Sequence, residues 1–265
     1  LVMRMKENNP DRVIYLADAR QSMHFIQVFR CARKTGIVPD TTELVHIGFG
    51  TMNGKDGKPF KTRDGGVMRL EYLLKEIDDE MLNKIKENQK EKENLNIDEA
   101  EAEQTAKTVA LAAVKYGDLS NQASKDYIFD IDRFTSFEGN TGPYILYTIV
   151  RIKSILSKYE AKGGDISALK DAIMPAVNAG QKNLMLSLAK FNATIESAYE
   201  ESAPHKICAY IYELANAFNG FYHDTKILSE ENEELKKSYI SLLVLTKEIL
   251  EACVDMLGFS APDRM

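Results

Sequence analysis

The first fifty residues alternate between short apolar runs and a helical pattern. Residues 13–17 form an apolar run rich in β-branched side chains, which predicts a buried parallel strand, and residues 44–49 predict a second strand. Between them lies an amphipathic helical pattern that ends at Gly36. Its apolar face consists of Phe25, Val28, Phe29 and Ala32. This spacing of strand, helix and strand predicts a βαβ unit with a right-handed crossover.

The rest of the chain has mainly the period of helices. From residue 67 to about residue 95, the apolar positions are Leu70, Leu73, Leu74, Ile77, Met81 and Ile85. Residues 76–103 carry 11 acidic against four basic side chains, so we expect one solvated connecting helix there. Further helical patterns begin at Ile145, Leu184, Ile207 and Leu235, with breaks at residues 163–164, Gly180 and Pro204, and we expect Gly220 to disturb its helix. The pattern predicts a helical bundle after an α/β segment.

A loop rich in glycine follows the second predicted strand. Six of the 15 glycines fall within residues 48–66, together with Lys55, Lys58, Lys61 and Arg63. Open α/β sheets bind ligands beyond the carboxyl ends of their strands, and glycine backbone with nearby cations suits phosphate groups. The loop matches neither the GxxxxGK[ST] nor the GxGxxG pattern. The residues alone therefore leave open a phosphate site and an exposed turn.

Charge and cysteine content narrow the function classes. The net charge is −6, although residues 1–75 carry 13 basic against eight acidic side chains. This argues against a protein that coats nucleic acid through a broadly basic surface. The three cysteines are far apart and form no metal or disulfide pattern, so we expect no metal site and a reducing cytoplasmic location. We see no transmembrane run or signal peptide, and we expect a longer protein because the chain opens at Leu1 within a charged segment.

Six segments, in this order, resemble the successive signatures of arginyl-tRNA synthetases. They are VIYLADARQSMHF (13–25), HIGFGTMNGKDGKPFKTRDGG (46–66), KYGDLS (115–120), DYIFDIDRFTSFEGNTGPY (126–144), PHKICAYIYELANAFNGFY (204–222) and LGFSAPDRM (257–265). The resemblance implies an α/β half-domain, part of a Rossmann-like parallel sheet, at residues 1–138. It implies an all-α anticodon-binding domain of the DALR type at residues 139–265.

The resemblance also implies an activity and its partners. The family activates arginine with ATP and Mg²⁺ to arginyl-adenylate, releases pyrophosphate and esterifies the 3′ end of its tRNA. No prosthetic group, membrane or DNA partner is implied, and the whole protein is expected to be a monomer. An HxGH motif and the upstream Tyr/Asp pair that reads arginine do not occur in this chain, so we expect the chain alone to be inactive.

The resemblance implies site residues wherever a motif of the family matches a position of this sequence. Lys61, Thr62 and Arg63 occupy the place of the class I KMSKS loop, with Thr62 standing where its second lysine would be. The ATP-binding set is His46, Gly48, Phe49, Gly50, Met52 and Lys58, and Gln21 and His24 match the arginine pocket. The tRNA-binding set is Tyr144, Tyr147, Arg151, Lys153, Tyr212, Arg264 and Met265, with Phe218 and Tyr222 as further stacking candidates.

Other interpretations stay open at this point. The chain could be a non-catalytic tRNA-binding module derived from this fold. It could also belong to a cysteinyl- or glutaminyl-tRNA synthetase, although the NTGPY and PDRM segments oppose both. A helical scaffold would not need the basic glycine-rich loop, while aromatic side chains at helical spacing are often simply core residues.

Overall fold

The computed structural model describes residues 1–58, 70–91, 98–169 and 172–265, which belong to two compact units. The first unit comprises Leu1–Val67 and Asn121–Phe129, and the second comprises Met68–Ser120 and Asp130–Met265. Lys61, Thr62 and Arg63, the predicted KMSKS-like residues, lie outside the described residues.

The first unit is built around a strand–helix–strand arrangement. Its elements are α1 (Val2–Asn8), β1 (Arg12–Asp18), α2 (Ser22–Lys34), β2 (Glu43–Phe49), β3 (Met52–Asn53) and β4 (Tyr127–Ile128). β1 pairs with β2 in parallel, in a register that runs from Arg12 opposite Glu43 to Asp18 opposite Phe49. This confirms the predicted strands and the helix between them. The sequence did not predict the short parallel pair of β3 and β4.

Among the described residues of the first unit, side chains cover one face of β1 and leave the other exposed. Phe25 and Phe29 of α2 pack against Tyr15, with ring centroids 5.1 and 5.8 Å from its ring. On the other face, Ile14 is 48% exposed and Leu16 is 67% exposed. The prediction of a fully buried strand was therefore wrong for one face, because an apolar run does not show which face a helix covers.

The second unit is helical. Its helices are α3 (Leu70–Glu91), α4 (Glu99–Leu119), α5 (Ile131–Phe134), α6 (Gly142–Ala161), α7 (Ala179–Ala189), α8 (Phe191–Glu200), α9 (Pro204–Asp224) and α10 (Glu233–Met256). Among the described residues, no helix is both long enough and apolar enough to cross a bilayer.

The expectation of one solvated helix over residues 76–103 was wrong. The segment contributes to two helices, and α4 begins with Asp98 as its N-cap, whose carboxylate accepts a hydrogen bond from the Glu101 N–H. α3 packs against α4, and Ile77 and Met81 are completely buried. The acidic side chains of this segment that the structure describes are exposed or half-buried, and those in the first turn of α4 lie where the helix dipole favours them.

The core of the bundle follows the predicted apolar period in α6 and α9. Ile145, Ile149 and Ile152 of α6 are completely buried, as are Ile211, Leu214 and Phe218 of α9. The helical period that begins at Leu184 continues through Leu188, Phe191 and Ile195 and predicts one helix, but the structure has α7 and α8, which are divided at Lys190.

Two details of the later helices differ from the prediction. Gly220 does not disturb α9, which continues to Asp224, because a single glycine in a helix interior costs only about 1 kcal/mol. In α10 the apolar period predicts a stripe of Leu235, Tyr239, Leu242, Ile249 and Met256, of which only Tyr239 and Leu242 are buried. Leu243 and Leu250 are fully buried, whereas Met256 is 48% exposed.

Candidate functional site

The carboxyl end of β2 makes a close backbone approach to residues 123–126. A Cβ at Gly50 would lie 2.5 Å from the carbonyl oxygen of Lys125, and one at Gly48 would lie 2.9 Å from Cα of Ala19. The Gly50 N–H donates to the carbonyl of Ala123 at 2.8 Å. Both glycines, predicted for ATP binding, therefore also allow close packing of the strand end.

The histidines predicted for the ATP and arginine sites, His46 and His24, both lie close to the ring of Phe25. The His46 ring stacks on Phe25 with centroids 4.4 Å apart and planes 14° apart, and the His24 ring lies 5.6 Å from Phe25. His46 Nε2 is buried and has no hydrogen-bond partner among the described residues. Gln21 and His24 are exposed near the start of α2. The structure therefore brings His24 and His46 into one neighbourhood around Phe25.

A charged pair that the sequence analysis missed marks the end of β1. The Asp18 carboxylate accepts hydrogen bonds from Arg20 Nε at 2.9 Å and from the Arg20 backbone N–H at 2.8 Å. The side-chain hydrogen bond from Arg20 is the largest cause that lowers the pKa of Asp18 to about 2. An aspartate directly after a predicted parallel strand is the signal that could have identified it.

The described start of the glycine-rich loop is a turn. The Lys58 N–H donates to Asp56 Oδ1 at 3.1 Å, and its carbonyl accepts from the Gly54 N–H at 2.8 Å. The Lys58 side chain is exposed, Phe49 is 42% exposed, and Met52 is half-buried.

In the helical unit, α6 and α9 bring several predicted tRNA-binding residues together. α6 begins after the N-cap Thr141, whose hydroxyl accepts from the Tyr144 N–H at 3.2 Å. The rings of Tyr144 and Tyr212 meet edge to face with centroids 5.7 Å apart. The Tyr144 hydroxyl donates to Asn216 Oδ1 at 2.6 Å and accepts from Asn219 Nδ2 at 2.9 Å.

Arg151 extends this cluster along α6. Its Nη1 donates to Asn219 Oδ1 at 2.7 Å. Its guanidinium carbon lies 4.8 Å from the ring centroid of Tyr147 and 5.5 Å from that of Tyr222. Both distances are within the range of cation–π attraction.

We call the residues Tyr144, Tyr147, Arg151, Tyr212, Asn216, Asn219 and Tyr222 the α6–α9 cluster. Sequence reasoning missed Asn216 and Asn219. They follow Tyr212 by four and seven residues, so helical spacing from Tyr212 could have identified them.

Phe218 was a wrong candidate for stacking on RNA. It is completely buried, and its ring lies 5.9 Å from that of Tyr222, which is 41% exposed. Phe218 therefore belongs to the core, and Tyr222 is the accessible member of the pair.

The two other cations of the predicted tRNA-binding set, Lys153 and Arg264, form ion pairs with carboxylates. Lys153 Nζ lies 3.3 Å from Glu251 and 3.1 Å from Asp263. Arg264 makes two hydrogen bonds to Glu101, at 3.1 and 2.8 Å. The carboxyl-terminal residues are therefore docked on the helical unit, and Met265 is half-buried.

Comparison with known families agrees with this arrangement of an α/β segment and a helical bundle. Residues 1–131 match the family described as tRNA synthetases class I (R), catalytic domain. Residues 145–265 match the DALR anticodon binding domain. This order of domains is that of a class I aminoacyl-tRNA synthetase, and it confirms the predicted fold class.

The relatives specify the family. The chain is 54% identical over 262 residues to an arginine--tRNA ligase from Alkaliphilus oremlandii, covering 99% of this chain and 43% of the relative. It is 43% identical over 267 residues to one from Francisella tularensis, covering 100% of this chain and 44% of the relative. The chain belongs to the arginyl-tRNA synthetase family. It spans less than half the length of these curated relatives.

Solved structures of the family have the same fold. The arginyl-tRNA synthetase of Plasmodium falciparum superimposes with a TM-score of 0.81 at 27% identity, covering 100% of this chain and 43% of that one. The Thermus thermophilus enzyme superimposes with a TM-score of 0.79 at 25% identity, covering 96% and 41%.

Proposed function

We propose that this chain is part of an arginine–tRNA ligase and that its helical unit binds the anticodon loop of the arginine tRNA. The whole protein would activate arginine with ATP and Mg²⁺ to arginyl-adenylate and transfer the arginyl group to the tRNA 3′ end. Membership of the family supports the reaction. The observation that carries the RNA-binding role is the α6–α9 cluster, whose members from Tyr147 onward lie within the anticodon-domain match.

The cluster has the chemistry that single-stranded RNA requires. Proteins read RNA loops by stacking splayed bases on aromatic rings and by hydrogen bonds to base edges. Arg151 supplies a fixed positive charge, since among the described residues its polar partner is the neutral amide of Asn219 and no carboxylate lies within salt-bridge distance. By contrast, Lys153 and Arg264 are neutralised by carboxylates and would have to exchange partners to meet a phosphate.

The first unit supplies part of a nucleotide site in this proposal. His46, Gly48, Phe49, Gly50 and Met52 would hold adenine and ribose at the strand end, and Lys58 would lie near the phosphates. Lys61 and Arg63, beside Thr62, would stabilise the negative charge of the departing pyrophosphate. Gln21 and His24 would meet arginine. Because a transition state needs all of its donors in place together, this chain alone would not form arginyl-adenylate.

We also infer the functional boundary and the setting of the protein. The catalytic part would be residues 1–138 and the anticodon-binding part residues 139–265, although α3 and α4 cluster with the helical unit. The whole protein would act as a monomer in the cytoplasm, with no membrane or DNA partner. The unpaired Cys31, Cys208 and Cys253 support a reducing compartment.

Titration of the 265-residue chain with tRNA tests the RNA-binding role. A labelled arginine-tRNA transcript and one with a substituted anticodon are titrated with the protein at two salt concentrations, followed by fluorescence anisotropy. We expect tighter binding of the unsubstituted transcript and weaker binding of both at high salt, because phosphate contacts release counterions.

Substitutions in α6 locate the interface. Arg151→Ala should weaken binding about tenfold or more, since hydrogen bonds from charged groups contribute roughly 1.5–3 kcal/mol. Lys162→Ala is the matched control, because it removes an exposed cation about 16 Å further along the α6 axis. If Arg151→Ala binds each transcript with the same affinity as the control Lys162→Ala, the α6–α9 cluster is not the RNA site.

A further inference from the structure

Four side chains of the α6–α9 cluster form one continuous hydrogen-bonded chain. Arg151 Nη1 donates to Asn219 Oδ1 at 2.7 Å, and Asn219 Nδ2 donates to the Tyr144 hydroxyl at 2.9 Å. The Tyr144 hydroxyl donates to Asn216 Oδ1 at 2.6 Å. This series of hydrogen bonds therefore begins at the permanent charge of Arg151 on α6 and ends at the side-chain amide of Asn216 on α9.

The charge at Arg151 fixes the orientation of Asn219, and the hydrogen bond donated by Tyr144 sets the orientation of Asn216. A guanidinium can only donate, so Asn219 must face it with its carbonyl oxygen and turn its amide nitrogen to Tyr144. The Tyr144 oxygen accepts that bond, and its single proton is directed to Asn216. Asn216 must accept it through Oδ1, because its amide nitrogen has no lone pair to offer.

As a result, the amide nitrogen of Asn216 is left at the end of this series of hydrogen bonds. Its side chain is exposed, and its amide nitrogen has no hydrogen-bond partner among the described residues. The nitrogen therefore presents N–H donors to solvent, one helical turn along α9 from Tyr212. An unconstrained asparagine amide can flip and serve as donor or acceptor, but this one cannot flip without breaking the bond to Tyr144.

We propose that Asn216 is a specificity-determining residue that donates a hydrogen bond to an acceptor edge of an anticodon-loop base, and that Asn219 is the positioning residue that orients it through Tyr144. This inference rests on the proposed tRNA-binding role of the helical unit. A fixed donor favours a base that presents a carbonyl oxygen or ring nitrogen and disfavours one that presents an amino group, because the latter leaves two donors facing each other.

Two near-isosteric substitutions alter this series of hydrogen bonds at different residues. Asn216→Asp replaces the presented donor by an acceptor. Asn219→Asp keeps an acceptor for Arg151 but removes the donor to Tyr144, so that the tyrosine proton turns away from Asn216. Both substitutions also add a negative charge, which repels RNA irrespective of sequence. Asn192→Asp is the matched control, because it makes the same change at an exposed position of α8.

The readout is the affinity penalty caused by single-base substitutions in the anticodon loop. Each variant is titrated with the arginine-tRNA transcript and with transcripts that differ from it at one loop position. We expect the wild-type chain to show a penalty of about tenfold or more at the position that Asn216 contacts. Asn216→Asp and Asn219→Asp should reduce the penalty at that position to about twofold or less and leave the other positions unchanged. Asn192→Asp should leave every penalty at its wild-type value.

Different outcomes separate this inference from the proposed function. Wild-type penalties at all positions in Asn216→Asp and Asn219→Asp would overturn the inference and leave tRNA binding intact. A wild-type chain that does not distinguish the transcripts would overturn the proposed function, and the inference with it. Far-UV circular dichroism establishes that each variant folds. If Asn219→Asp does not fold, Asn216→Asp decides the matter, since its side chain is exposed.

Discussion

Substitution of Gly142 by alanine tests how α6 is seated on α4. Gly142 is buried at the first residue of α6, next to the N-cap Thr141. A Cβ at Gly142 would lie 2.3 Å from the carbonyl oxygen of Ala112 and 3.0 Å from the N atom of Ala113. Both obstructing atoms belong to the backbone of α4, so no side-chain rotation can relieve the clash.

The size of the clash sets the expected cost. An ordinary carbon–oxygen contact is about 3.3–3.6 Å, so the two backbones must separate by about 1 Å. That separation loosens the packing of neighbouring core residues such as Ile145 and Val109, both fully buried. Overpacking a close-packed core typically costs about 1–3 kcal/mol, and we expect the upper end, because backbone cannot move aside. For a unit of this size, about 3 kcal/mol lowers Tm by roughly 6–12 °C.

Urea unfolding of the chain, followed by far-UV circular dichroism, measures the change. Gly220→Ala is the matched control, because Gly220 lies within α9 and an added Cβ there meets no atom within 4 Å. We expect Gly220→Ala to stabilise the protein by about 0.5–1 kcal/mol through the higher helix propensity of alanine. If Gly142→Ala unfolds at the same urea concentration as wild type, the α4–α6 approach is not as close as described.

Three further predictions address the site, the carboxyl end and the cysteines. In the whole protein, Lys61→Ala should slow adenylate formation on the order of 100-fold and change the arginine affinity little. Single-turnover kinetics measures the rate of adenylate formation. An unchanged rate would exclude Lys61 as the cation that stabilises the departing pyrophosphate. Deletion of residues 263–265 should weaken binding of the arginine tRNA while leaving Tm within about 4 °C of wild type. The reason is that the exposed ion pairs it removes contribute roughly 0–1 kcal/mol, and a larger fall in Tm would instead make the tail structural. Brief alkylation at pH 8, followed by peptide mass spectrometry, should modify the exposed Cys31 and spare Cys208 and Cys253. The reason is that burial raises the pKa of both buried thiols to about 12. Equal labelling of all three cysteines would contradict this burial.

The fold was predictable where the apolar period is local. The strand–helix–strand order of the first unit and the buried faces of α6 and α9 follow directly from residue spacing. The pairing of α3 with α4 was not predictable from charge content, because acidic side chains on an outer face conceal a core stripe that includes Ile77 and Met81. The exposure of Leu16 depends on which face of the strand is covered, and its own sequence does not encode that.

The candidate site was predictable only in part for a similar reason. The motif around Tyr144 and Arg151 identified those residues through the resemblance. Asn216 and Asn219 escaped attention, because polar residues on an amphipathic helix usually form its solvent face. Their importance comes from hydrogen bonds between α6 and α9, across 68 to 75 positions of sequence. Such non-local pairing is visible only in the folded chain.

We propose that this chain belongs to an enzyme that activates arginine for attachment to tRNA. The most direct test is ATP–pyrophosphate exchange by the whole protein, measured with each amino acid in turn in the presence of arginine tRNA, with the 265-residue chain assayed beside it. We expect exchange with arginine, none with the other amino acids, and none from the 265-residue chain alone. Exchange driven by another amino acid, no exchange by the whole protein, or arginine-dependent exchange by the 265-residue chain alone would contradict the account.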